Sequence, residues 1–428
     1  MRVLVLGAAV SGRAAARLAR DLGNEVTVYD RTAAALEDME GKTTAGEWQR
    51  RFLSGVDLVV TSPGFPEHSG AIADVLAERV PLVSEMEFAA SQMTVPYAAV
   101  TGTNGKTTVT SVAADMLTAS GVKAIAAGNI GTALSDIALD PPEAVVVEAS
   151  SFQLRFIDSF HPRVAAILNI APDHLDWHSS FADYVAAKQR IFENQIGEDI
   201  LVYDCDDAAA TAAVETAPSR PIPVSGRHVP DGGYGPRGAN LVLPAGTVDR
   251  PPLDAAYTMD LVAAASIAAH LGATLDGIDR TIARFEPGKH RRSVVGSWGG
   301  VTWINDSKAT NPHAALASVA AYESVILIAG GRNKGLDLRP LGAAPTVRKV
   351  IGIGEASGEL EAAAVSARFH AALTLDEAIA LADSMAESGD TVLLAPGCAS
   401  FDMFSSYQQR GEEFTRLVVA RKGGPRGE

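Results

Sequence analysis

The chain has 428 residues, a mass of 44.5 kDa and a formal net charge of −15 at pH 7. Its 47% of apolar and 20% of charged residues are typical of a folded globular protein and exclude general disorder. The acidic balance argues against a nucleic-acid-binding surface, and no apolar run approaches the ~18 residues that cross a membrane. With only two cysteines, far apart in the sequence, we expect a cytoplasmic protein without membrane insertion or a nucleic-acid partner.

Short, continuous apolar runs alternate with Ala-rich segments of helical period. Runs of this kind predict parallel strands that are covered on both faces, which places the chain in the α/β class. The predicted strands are residues 3–6, 26–29, 58–61, 97–100, 145–147, 165–169, 325–329, 349–353 and 391–395.

Two changes in composition suggest domain boundaries. At roughly 150 residues per domain, the length predicts about three domains. Boundaries near residues 91–96 and 285–290 would give domains at 1–92, 93–285 and 286–428, with a strand pair following the second boundary. The Pro- and Gly-rich stretch 218–252 is either a surface excursion with short antiparallel strands or a poorly ordered insert.

A glycine turn follows the first predicted strand. Gly7 and Gly12 open a predicted helix over residues 13–22, and Asp30 ends the second strand, which is similar to a dinucleotide-binding fingerprint. The glycine that lets backbone approach a pyrophosphate is replaced by Ala9. The turn could therefore bind NAD, bind another nucleotide, or be a tight turn that binds no ligand. Ser62 begins a second such turn, after strand 58–61.

A stronger nucleotide signal follows strand 97–100 and precedes a predicted helix over residues 109–119. The residues Gly102-Thr103-Asn104-Gly105-Lys106-Thr107-Thr108 form a Gly-rich loop with a Gly-Lys-Thr core. Its N–H groups can converge on phosphate oxygens, Lys106 can neutralise phosphate charge, and the Thr107 hydroxyl can bind Mg²⁺. With Val100 where the usual motif has its first glycine, the loop is two residues tighter than that motif.

Carboxylate, histidine and lysine side chains follow the neighbouring strands. Glu148 ends strand 145–147, where it can act as a second Mg²⁺ ligand or simply favour a helix N-terminus. The run from Asp173 and His174 to His178 comes after strand 165–169 and indicates either a site or capping residues. Lys188, on a predicted helix over residues 181–194, would by itself be interpreted as a solvated surface lysine.

These segments, taken together, resemble the ATP-dependent Mur ligase family. Residues 101–108, 148–154, 173–174 and 184–188 occur in that family's order, as do 305–311, 330–334 and 396–404. The resemblance extends from Val3 to about Leu417 and is weakest over residues 197–258. It implies an α/β fold of three domains: a Rossmann-like N-terminal domain for a UDP-substrate, a P-loop central ATPase domain, and a Rossmann-like C-terminal domain for an amino acid.

Within the family, the chain is most similar to members that join D-glutamate to the L-alanyl carboxylate of UDP-N-acetylmuramoyl-L-alanine. The resemblance implies an acyl phosphate intermediate, ATP and two Mg²⁺ ions as cofactors, a carbamylated lysine, and a monomer. Another Mur-type or folylpolyglutamate-type amino-acid ligase is the nearest alternative. A nucleotide sensor without catalysis and an NAD-dependent oxidoreductase are alternatives from other classes.

The resemblance also assigns site residues, of which Lys106, His174, Lys188 and Lys308 would be catalytic. The ATP site would comprise Gly102, Thr103, Asn104, Gly105, Lys106, Thr107, Thr108, Arg291, Asp306 and Lys308. The UDP-substrate site would comprise Val10, Ser11, Asp30, Arg31, Ser62, Asn129 and His174, and the D-glutamate site Thr310, Lys334, Ser400, Phe401 and Tyr407. Thr107 and Glu148 would hold one Mg²⁺, and His174 with carbamylated Lys188 the other. An Asn that the family usually carries is missing near 256–260, so the adenine contact is not assigned.

Overall fold

The computed structural model describes residues 1–364 and 368–423. The chain divides into two units, one of Met1–Ile170 with Trp177–Arg284 and the other of Ala171–Asp176 with Phe285–Glu428. In the described part of the chain, no helix is long and apolar enough to cross a membrane. Both cysteines, Cys205 and Cys398, are free.

The first sheet of the first unit is parallel and has the strand order β3-β2-β1-β4-β5. Its strands are β1 (Arg2–Leu6), β2 (Glu25–Asp30), β3 (Lys42–Ala45), β4 (Leu58–Thr61) and β5 (Leu82–Ser84). Helices α1 (Val10–Asp21) and α2 (Gly70–Glu78) connect them, with 3₁₀ turns at Ala33–Leu36 and Arg50–Leu53, and α3 (Glu85–Ala90) follows β5. The buried face of α1 is rich in alanine, and these small side chains allow close packing on the sheet.

The second sheet of this unit is also parallel, with the order β11-β10-β9-β6-β8-β7. Its strands are β6 (Tyr97–Thr101), β7 (Ala124–Gly128), β8 (Ala144–Glu148), β9 (Val164–Ile167), β10 (Ile200–Asp204) and β11 (Arg220–Val224). Its helices are α4 (Lys106–Ala119), α5 (Ser151–Leu154), α6 (Phe181–Gln189), α7 (Ala208–Val214), α8 (Ala255–His270) and α9 (Leu275–Ala283), with 3₁₀ turns at Leu134–Asp136 and Arg190–Phe192. Because β6 lies between β8 and β9, loops that follow these three strands meet at one edge.

Part of the Pro- and Gly-rich stretch folds into strands. β12 (Gly235–Arg237), β13 (Asn240–Leu243) and β14 (Gly246–Asp249) form a small antiparallel sheet, which confirms the first of the two alternatives. The beginning of the stretch was interpreted wrongly, because β11 is a parallel strand of the second sheet. Pro221 and Pro223 are tolerated there because β11 is an edge strand.

The sheet of the second unit has the order β15-β16-β20-β17-β18-β19, with β15 antiparallel to β16 and the other pairs parallel. Its strands are β15 (Ser293–Trp298), β16 (Val301–Asn305), β17 (Val325–Gly330), β18 (Val347–Ile353), β19 (Phe369–Ala371) and β20 (Thr391–Leu394). Helices α10 (Pro312–Val319), α11 (Arg339–Ala343), α12 (Ser357–Ala363), α13 (Leu375–Met385) and α14 (Tyr407–Lys422) accompany it. Apolar clusters pack against both faces of the sheet.

The α/β class and the nine predicted strands are confirmed, and β15 with β16 form the expected strand pair. Two predicted bounds are wrong near the site: β9 ends at Ile167, so Asn169 lies beyond the strand, and α4 already begins at Lys106. The helix predicted to end at residue 194 instead becomes a 3₁₀ turn after Gln189. The division into three domains stays a prediction.

Candidate active site

Two of the residues predicted for the UDP-substrate, Asp30 and Ser62, lie beside Gly7 at the carboxyl end of the first sheet. Gly7 has φ +101°, and a methyl group on it would lie 2.1 Å from Ser62 Oγ. The Ser62 hydroxyl donates to the carbonyl of Leu6 at 2.6 Å, and Asp30 Oδ2 accepts from the N–H of Ala8 at 2.9 Å. Glycine is therefore required at position 7 by the close approach of the second turn.

The other predicted residues of this group do not lie at one place, and His174 belongs to the second unit. Val10 and Ser11 begin α1, with Val10 64% exposed, and Arg31 follows β2 as an exposed residue. Asn129, after β7, donates from Nδ2 to Glu148 Oε1 at 2.9 Å. In this structure Asn129 therefore holds a carboxylate of the second sheet.

The phosphate loop is clamped by an asparagine that carried no assigned role. Asn169 Oδ1 accepts from the N–H of Asn104 at 2.8 Å, and Asn169 Nδ2 donates to the carbonyl of Asn104 at 3.1 Å. The backbone of Asn169 also accepts from the N–H of Thr103 at 2.8 Å. Gly102 and Gly105 take φ values of +154° and +83°, which an L side chain rarely adopts. The contact of Asn169 with Asn104 therefore holds the loop in its observed shape. It forms because β9 is the neighbour of β6 in the sheet.

Lys106 lies over this loop. Its Nζ donates to the carbonyls of Gly102 at 2.9 Å and of Thr103 at 3.0 Å. Since α4 begins at Lys106, the N–H groups at the start of that helix and the ammonium group belong to the same short segment, with Thr107 and Thr108 next in sequence. A helix N-terminus with an adjacent cation is a typical site for phosphate.

Glu148 supplies an anionic oxygen in the same region. The side chain is 3% exposed, and Oε2 is buried without a hydrogen-bond partner among the described residues. Burying a carboxylate oxygen without a partner is costly, and a divalent cation would offset that cost. Glu148 therefore fits the predicted Mg²⁺ ligand.

Lys188 is not the solvated surface residue that its sequence context by itself indicates. It is 1% exposed, and its Nζ donates to the carbonyl of Gly102 at 2.8 Å and lies 3.5 Å from Thr101 Oγ1. The same atom lies 4.5 Å from the centre of the Tyr184 ring, whose hydroxyl is 3.1 Å from Thr103 Oγ1. The structure brings Lys188 directly against the phosphate loop.

An acidic residue lies in the stretch 256–260, where the asparagine that the family usually carries is missing. Asp260, on α8, is 7% exposed, and a methyl group on Gly105 would lie 2.5 Å from its Oδ1 atom. A carboxylate therefore lies beside the phosphate loop. In the sequence, only the departure from the family pattern over residues 256–260 indicated that this stretch is unusual. That departure did not show that Asp260 would lie beside the loop.

The second unit contains a cavity of about 700 Å³. All five residues predicted for D-glutamate line this cavity, together with His174: Thr310, Lys334, Ser400, Phe401 and Tyr407. Arg332 and Asn333 also line it and were not assigned. Phe401 is 66% exposed, so its ring lies at the mouth of the cavity rather than in a core.

A buried ion pair orders one side of this cavity. Lys334 Nζ donates to Asp173 Oδ1 at 2.7 Å, and Asn311 Nδ2 donates to Asp173 Oδ2 at 3.1 Å. Burial would raise the pKa of Asp173, but the charges of Lys334 and His174 and the hydrogen bonds from them lower it below its usual value. His174 itself has φ +55°, a strained conformation for a side chain of its size. Asp173, assigned no role from sequence, thus anchors the predicted lysine.

Asp306, Lys308 and Arg291 lie in the second unit. Asp306 accepts hydrogen bonds from the Ser318 hydroxyl and, at 3.1 Å, from the N–H of Arg292, and burial raises its pKa. Lys308 Nζ lies 4.1 Å from the centre of the Tyr407 ring, which is a cation–π contact. This contact therefore connects Tyr407, which is predicted to bind D-glutamate, with Lys308, which is predicted to bind ATP.

A buried arginine that the sequence did not single out supports this region. Arg410 is 1% exposed and donates from Nη2 to the carbonyl of Ser307 at 2.9 Å and from Nε to the Ser307 hydroxyl at 3.0 Å. The Ser307 hydroxyl in turn donates to the carbonyl of Tyr407 at 2.8 Å. Arg410 lies on a long amphipathic helix, where an arginine is usually exposed, so no sequence signal could have found it.

Family models match three stretches of the chain. Residues 100–226 match the Mur ligase middle domain, and residues 290–398 match the Mur ligase, glutamate ligase domain. Residues 1–139 match the C-terminal domain of alanine dehydrogenase/PNT.

Curated relatives align over almost the whole chain. A Geotalea daltonii protein is 36% identical over 99% of this chain and 98% of its own length. A Desulfotalea psychrophila protein is 39% identical over 97% of this chain and 95% of its own, and one from Frankia casuarinae is 39% identical over 98% and 94%. All three bear the name UDP-N-acetylmuramoylalanine–D-glutamate ligase.

Solved structures show the same fold. A pseudomurein peptide ligase type C from Methanothermus fervidus has a TM-score of 0.62 and 18% identity, over 98% of this chain and 99% of that one. A MurF ligase from Thermotoga maritima in complex with ADP has a TM-score of 0.61 and 16% identity, over 92% and 98%.

Proposed function

Because the chain belongs to the Mur ligase family, we propose that it joins D-glutamate to the L-alanyl carboxylate of UDP-N-acetylmuramoyl-L-alanine, with ATP converted to ADP and phosphate. The observation that carries this proposal is that relatives with that name align over 97–99% of the chain. The reaction belongs to peptidoglycan precursor synthesis, and we propose that the enzyme performs it as a cytoplasmic monomer.

The chemistry requires activation of a carboxylate, which is a poor electrophile. In the first step the γ-phosphoryl group of ATP is transferred to an oxygen of the L-alanyl carboxylate, giving an acyl phosphate and ADP. In the second step the neutral amine of D-glutamate attacks the carbonyl carbon. The C–O bond to phosphate then breaks, and the nitrogen releases one proton, so that an amide and phosphate are formed. Catalysis of such steps depends mainly on positioning and on stabilising developing negative charge.

The phosphate loop supplies these functions for ATP. The N–H groups of the loop and of the start of α4 would bind the phosphate oxygens, and Lys106 would neutralise the charge on the transferring group. In this structure the Nζ atom of Lys106 donates to two loop carbonyls. Nucleotide binding would move Nζ from these acceptors to a phosphate oxygen. Thr107 follows directly and can present its hydroxyl to the metal.

Family members use ATP with Mg²⁺, and the donor set of the first unit fits that ion. Glu148 has a buried oxygen without a described hydrogen-bond partner, and carboxylate and hydroxyl oxygens are the ligands Mg²⁺ prefers. We assign Thr107 and Glu148 to one Mg²⁺ and Lys188 to a second. When bound, Mg²⁺ neutralises charge on the phosphoryl oxygens.

Lys188 can act as a metal ligand only after a chemical change, because an ammonium group repels a cation. Addition of CO₂ to the neutral amine gives a carbamate, whose oxygens are suitable ligands. Burial disfavours the ammonium form, and the carbamate nitrogen keeps one N–H that can still donate to the Gly102 carbonyl. The carbamylated state of Lys188 is therefore compatible with its observed position.

The cavity of the second unit is the proposed amino-acid site. D-glutamate carries two carboxylates, and Lys334 with the Ser400 hydroxyl offers a cation and a donor on the cavity wall. Because Asp173 already neutralises Lys334, the ion pair would hold the lysine in place and let its remaining N–H groups bind substrate. A fixed geometry of this kind distinguishes one enantiomer from the other by position rather than by charge.

Phosphate release tests the proposal. The purified protein is given ATP, Mg²⁺ and UDP-N-acetylmuramoyl-L-alanine, with each amino acid supplied in turn. We expect release to require both the acceptor and D-glutamate. Equal turnover with L-glutamate would overturn the substrate assignment and favour another amino-acid ligase of the family. Full ATP turnover without an acceptor would overturn the ligase assignment itself.

A further inference from the structure

An ion pair connects the turn after β4 with the end of α5. Arg155, the residue that ends α5, makes two hydrogen bonds to Glu67, from Nε to Oε2 at 2.6 Å and from Nη2 to Oε1 at 2.8 Å. Glu67 lies in the loop between β4 and α2 that begins at Ser62, a residue predicted to contact the uridine nucleotide. A bidentate arginine–carboxylate pair restricts the relative position of its two partners more than a single contact does.

The same arginine leads to a buried histidine. Arg155 Nη1 lies 3.7 Å from Asp183 Oδ1, and Asp183 Oδ2 lies 3.5 Å from His178 Nδ1. On the other side of the ring, His178 Nε2 is 2.9 Å from Ser151 Oγ. Since Nδ1 faces a carboxylate, we assign the proton to Nδ1, so that the Ser151 hydroxyl donates to Nε2. Ser151 begins α5, three residues after Glu148.

His178 is also enclosed by aromatic rings. Its ring centre lies 4.5 Å from that of Trp177, 5.8 Å from that of Phe152 and 5.2 Å from that of Tyr184. Burial lowers its pKa, although Asp183 opposes this, so the imidazole is neutral at pH 7. Nδ1 makes no hydrogen bond to any residue that the structure describes, although Asp183 Oδ2 lies 3.5 Å away. A movement of Asp183 by about half an ångström would complete that hydrogen bond.

Tyr184 completes the connection to the nucleotide site. Its ring contacts both His178 and the Nζ of Lys188, and its hydroxyl is 3.1 Å from Thr103 Oγ1 of the phosphate loop. His178 therefore contacts Ser151, which follows Glu148 by three residues, and Tyr184, which contacts Lys188 and Thr103. No other described imidazole occupies such a position between the two predicted ligands of the first unit.

We propose that Glu67, Arg155, Asp183 and His178 form a polar bridge that couples the UDP-substrate loop to the ATP site, with His178 as a positioning residue that acts through Ser151 and Tyr184. The bridge rests on the proposed function, because it assigns the Ser62 turn to the acceptor and the Gly102 loop to ATP. Acceptor binding stabilises the loop that carries Glu67 together with the existing Glu67–Arg155 pair, and the Asp183–His178 contact shortens. The closed bridge holds Ser151 and Tyr184, and hence the phosphate loop, in one arrangement.

Coupling of this kind is measurable as a change in affinity. The affinity for a non-hydrolysable ATP analogue is measured by calorimetry with Mg²⁺, with and without saturating UDP-N-acetylmuramoyl-L-alanine. We expect the acceptor to tighten analogue binding to the wild-type protein about fivefold or more, which is within the usual range for coupled sites. The coupling factor is the ratio of the analogue affinities with and without acceptor. In Glu67→Gln this factor should fall to within about twofold of unity, while the affinity for each ligand alone changes less than about threefold.

Glu78→Gln is the matched control. Glu78 pairs with Arg50 in the same N-terminal region, through a surface ion pair that does not reach Arg155. The coupling factor of this variant should equal that of the wild type. The proposal is overturned if the wild type shows no coupling, if Glu67→Gln retains the full factor, or if Glu78→Gln loses as much. A wild-type protein that binds neither ligand would instead overturn the proposed function, and the bridge with it.

Three variants at His178 separate positioning from folding. The Gln amide reaches the position of Nε2 and can keep the Ser151 contact, whereas the Asn amide reaches the position of Nδ1. We expect His178→Ala to lower kcat about 10- to 100-fold with every KM within about threefold, and His178→Gln to recover more of kcat than His178→Asn. Equal kcat in all three variants at equal melting temperature would overturn the role of His178. If His178→Ala does not fold, the Gln–Asn comparison and Glu67→Gln still decide the question.

Discussion

The Nζ atom of Lys188 donates a hydrogen bond to the carbonyl of Gly102 at 2.8 Å, although 86 positions separate the two residues. The contact places a buried cationic side chain against the loop that would bind ATP phosphates. A solvated helix lysine would contribute almost nothing there, whereas a carbamate at this position would be an oxygen ligand for metal. The two interpretations differ in what happens when the side chain is removed.

Lys188→Ala should lose nearly all ligase activity while remaining folded. Removal of the carbamate would leave one metal without its anionic ligand. Acetate, which can occupy the vacated oxygen position, should restore part of the activity. The measurements are specific activity with and without acetate, and the melting temperature. Wild-type activity in the variant would remove Lys188 from the site.

Lys106→Ala should abolish phosphoryl transfer. The Nζ atom lies against the phosphate loop, where it donates to the carbonyls of Gly102 and Thr103. Its loss removes the cation that neutralises the transferring phosphoryl group. Single-turnover formation of ADP, followed with saturating acceptor, reports this step directly. A variant that forms ADP at the wild-type rate would contradict the assignment.

Lys334→Ala should weaken the use of D-glutamate and also destabilise the protein. A lost charge-assisted contact costs about 1.5–3 kcal/mol, which corresponds to a roughly tenfold to hundredfold fall in kcat/KM for D-glutamate. The stability loss has a separate cause, because Asp173 would be left as a buried carboxylate without its cation.

The double variant Lys334→Ala, Asp173→Asn separates these two effects. Neutralising Asp173 should recover the melting temperature but not kcat/KM for D-glutamate. Lys42→Ala, at an exposed strand position, serves as the control. An unchanged kcat/KM for D-glutamate in Lys334→Ala would remove this lysine from the amino-acid site.

Glu85 should make stability depend on pH near neutrality. Burial raises the pKa of Glu85 to about 7, from its ordinary value of 4.5, although a hydrogen bond from the N–H of Ser135 opposes the shift. Between pH 4.5 and 7 the folded state holds a proton that the unfolded state has released. The free energy of unfolding therefore falls as the pH rises through this window and changes no further above it.

In Glu85→Gln the free energy of unfolding should not fall over this pH range, because the amide does not ionise. The melting temperature of the variant relative to the wild type should therefore rise between pH 5 and pH 8. Glu25→Gln, at an exposed position of β2, should show a constant difference over the same range. A pH-independent difference for Glu85→Gln would show that the carboxyl titrates in its ordinary range.

The sequence by itself determined the α/β class, the nine strands and the phosphate loop. These features are local: an apolar run is sufficient to indicate a buried strand, and the Gly-Lys-Thr core carries its chemistry within consecutive residues. The role of the five residues predicted for D-glutamate stays a prediction, but they line one cavity because each follows a strand or begins a helix at the same edge of one sheet.

Only the tertiary structure decided which polar groups meet. Lys188 reaches Gly102 across 86 positions, Arg155 reaches Glu67 across 88, and Lys334 reaches Asp173 across 161. No local pattern records such pairs, because the burial of an ionic group depends on which strands become neighbours. The order of strands β8, β6 and β9 places Glu148, Gly102 and Asn169 at one edge of a sheet, and packing of α6 against it buries Lys188. The physical reason is that a charge in the interior requires a partner, and only the folded chain supplies one.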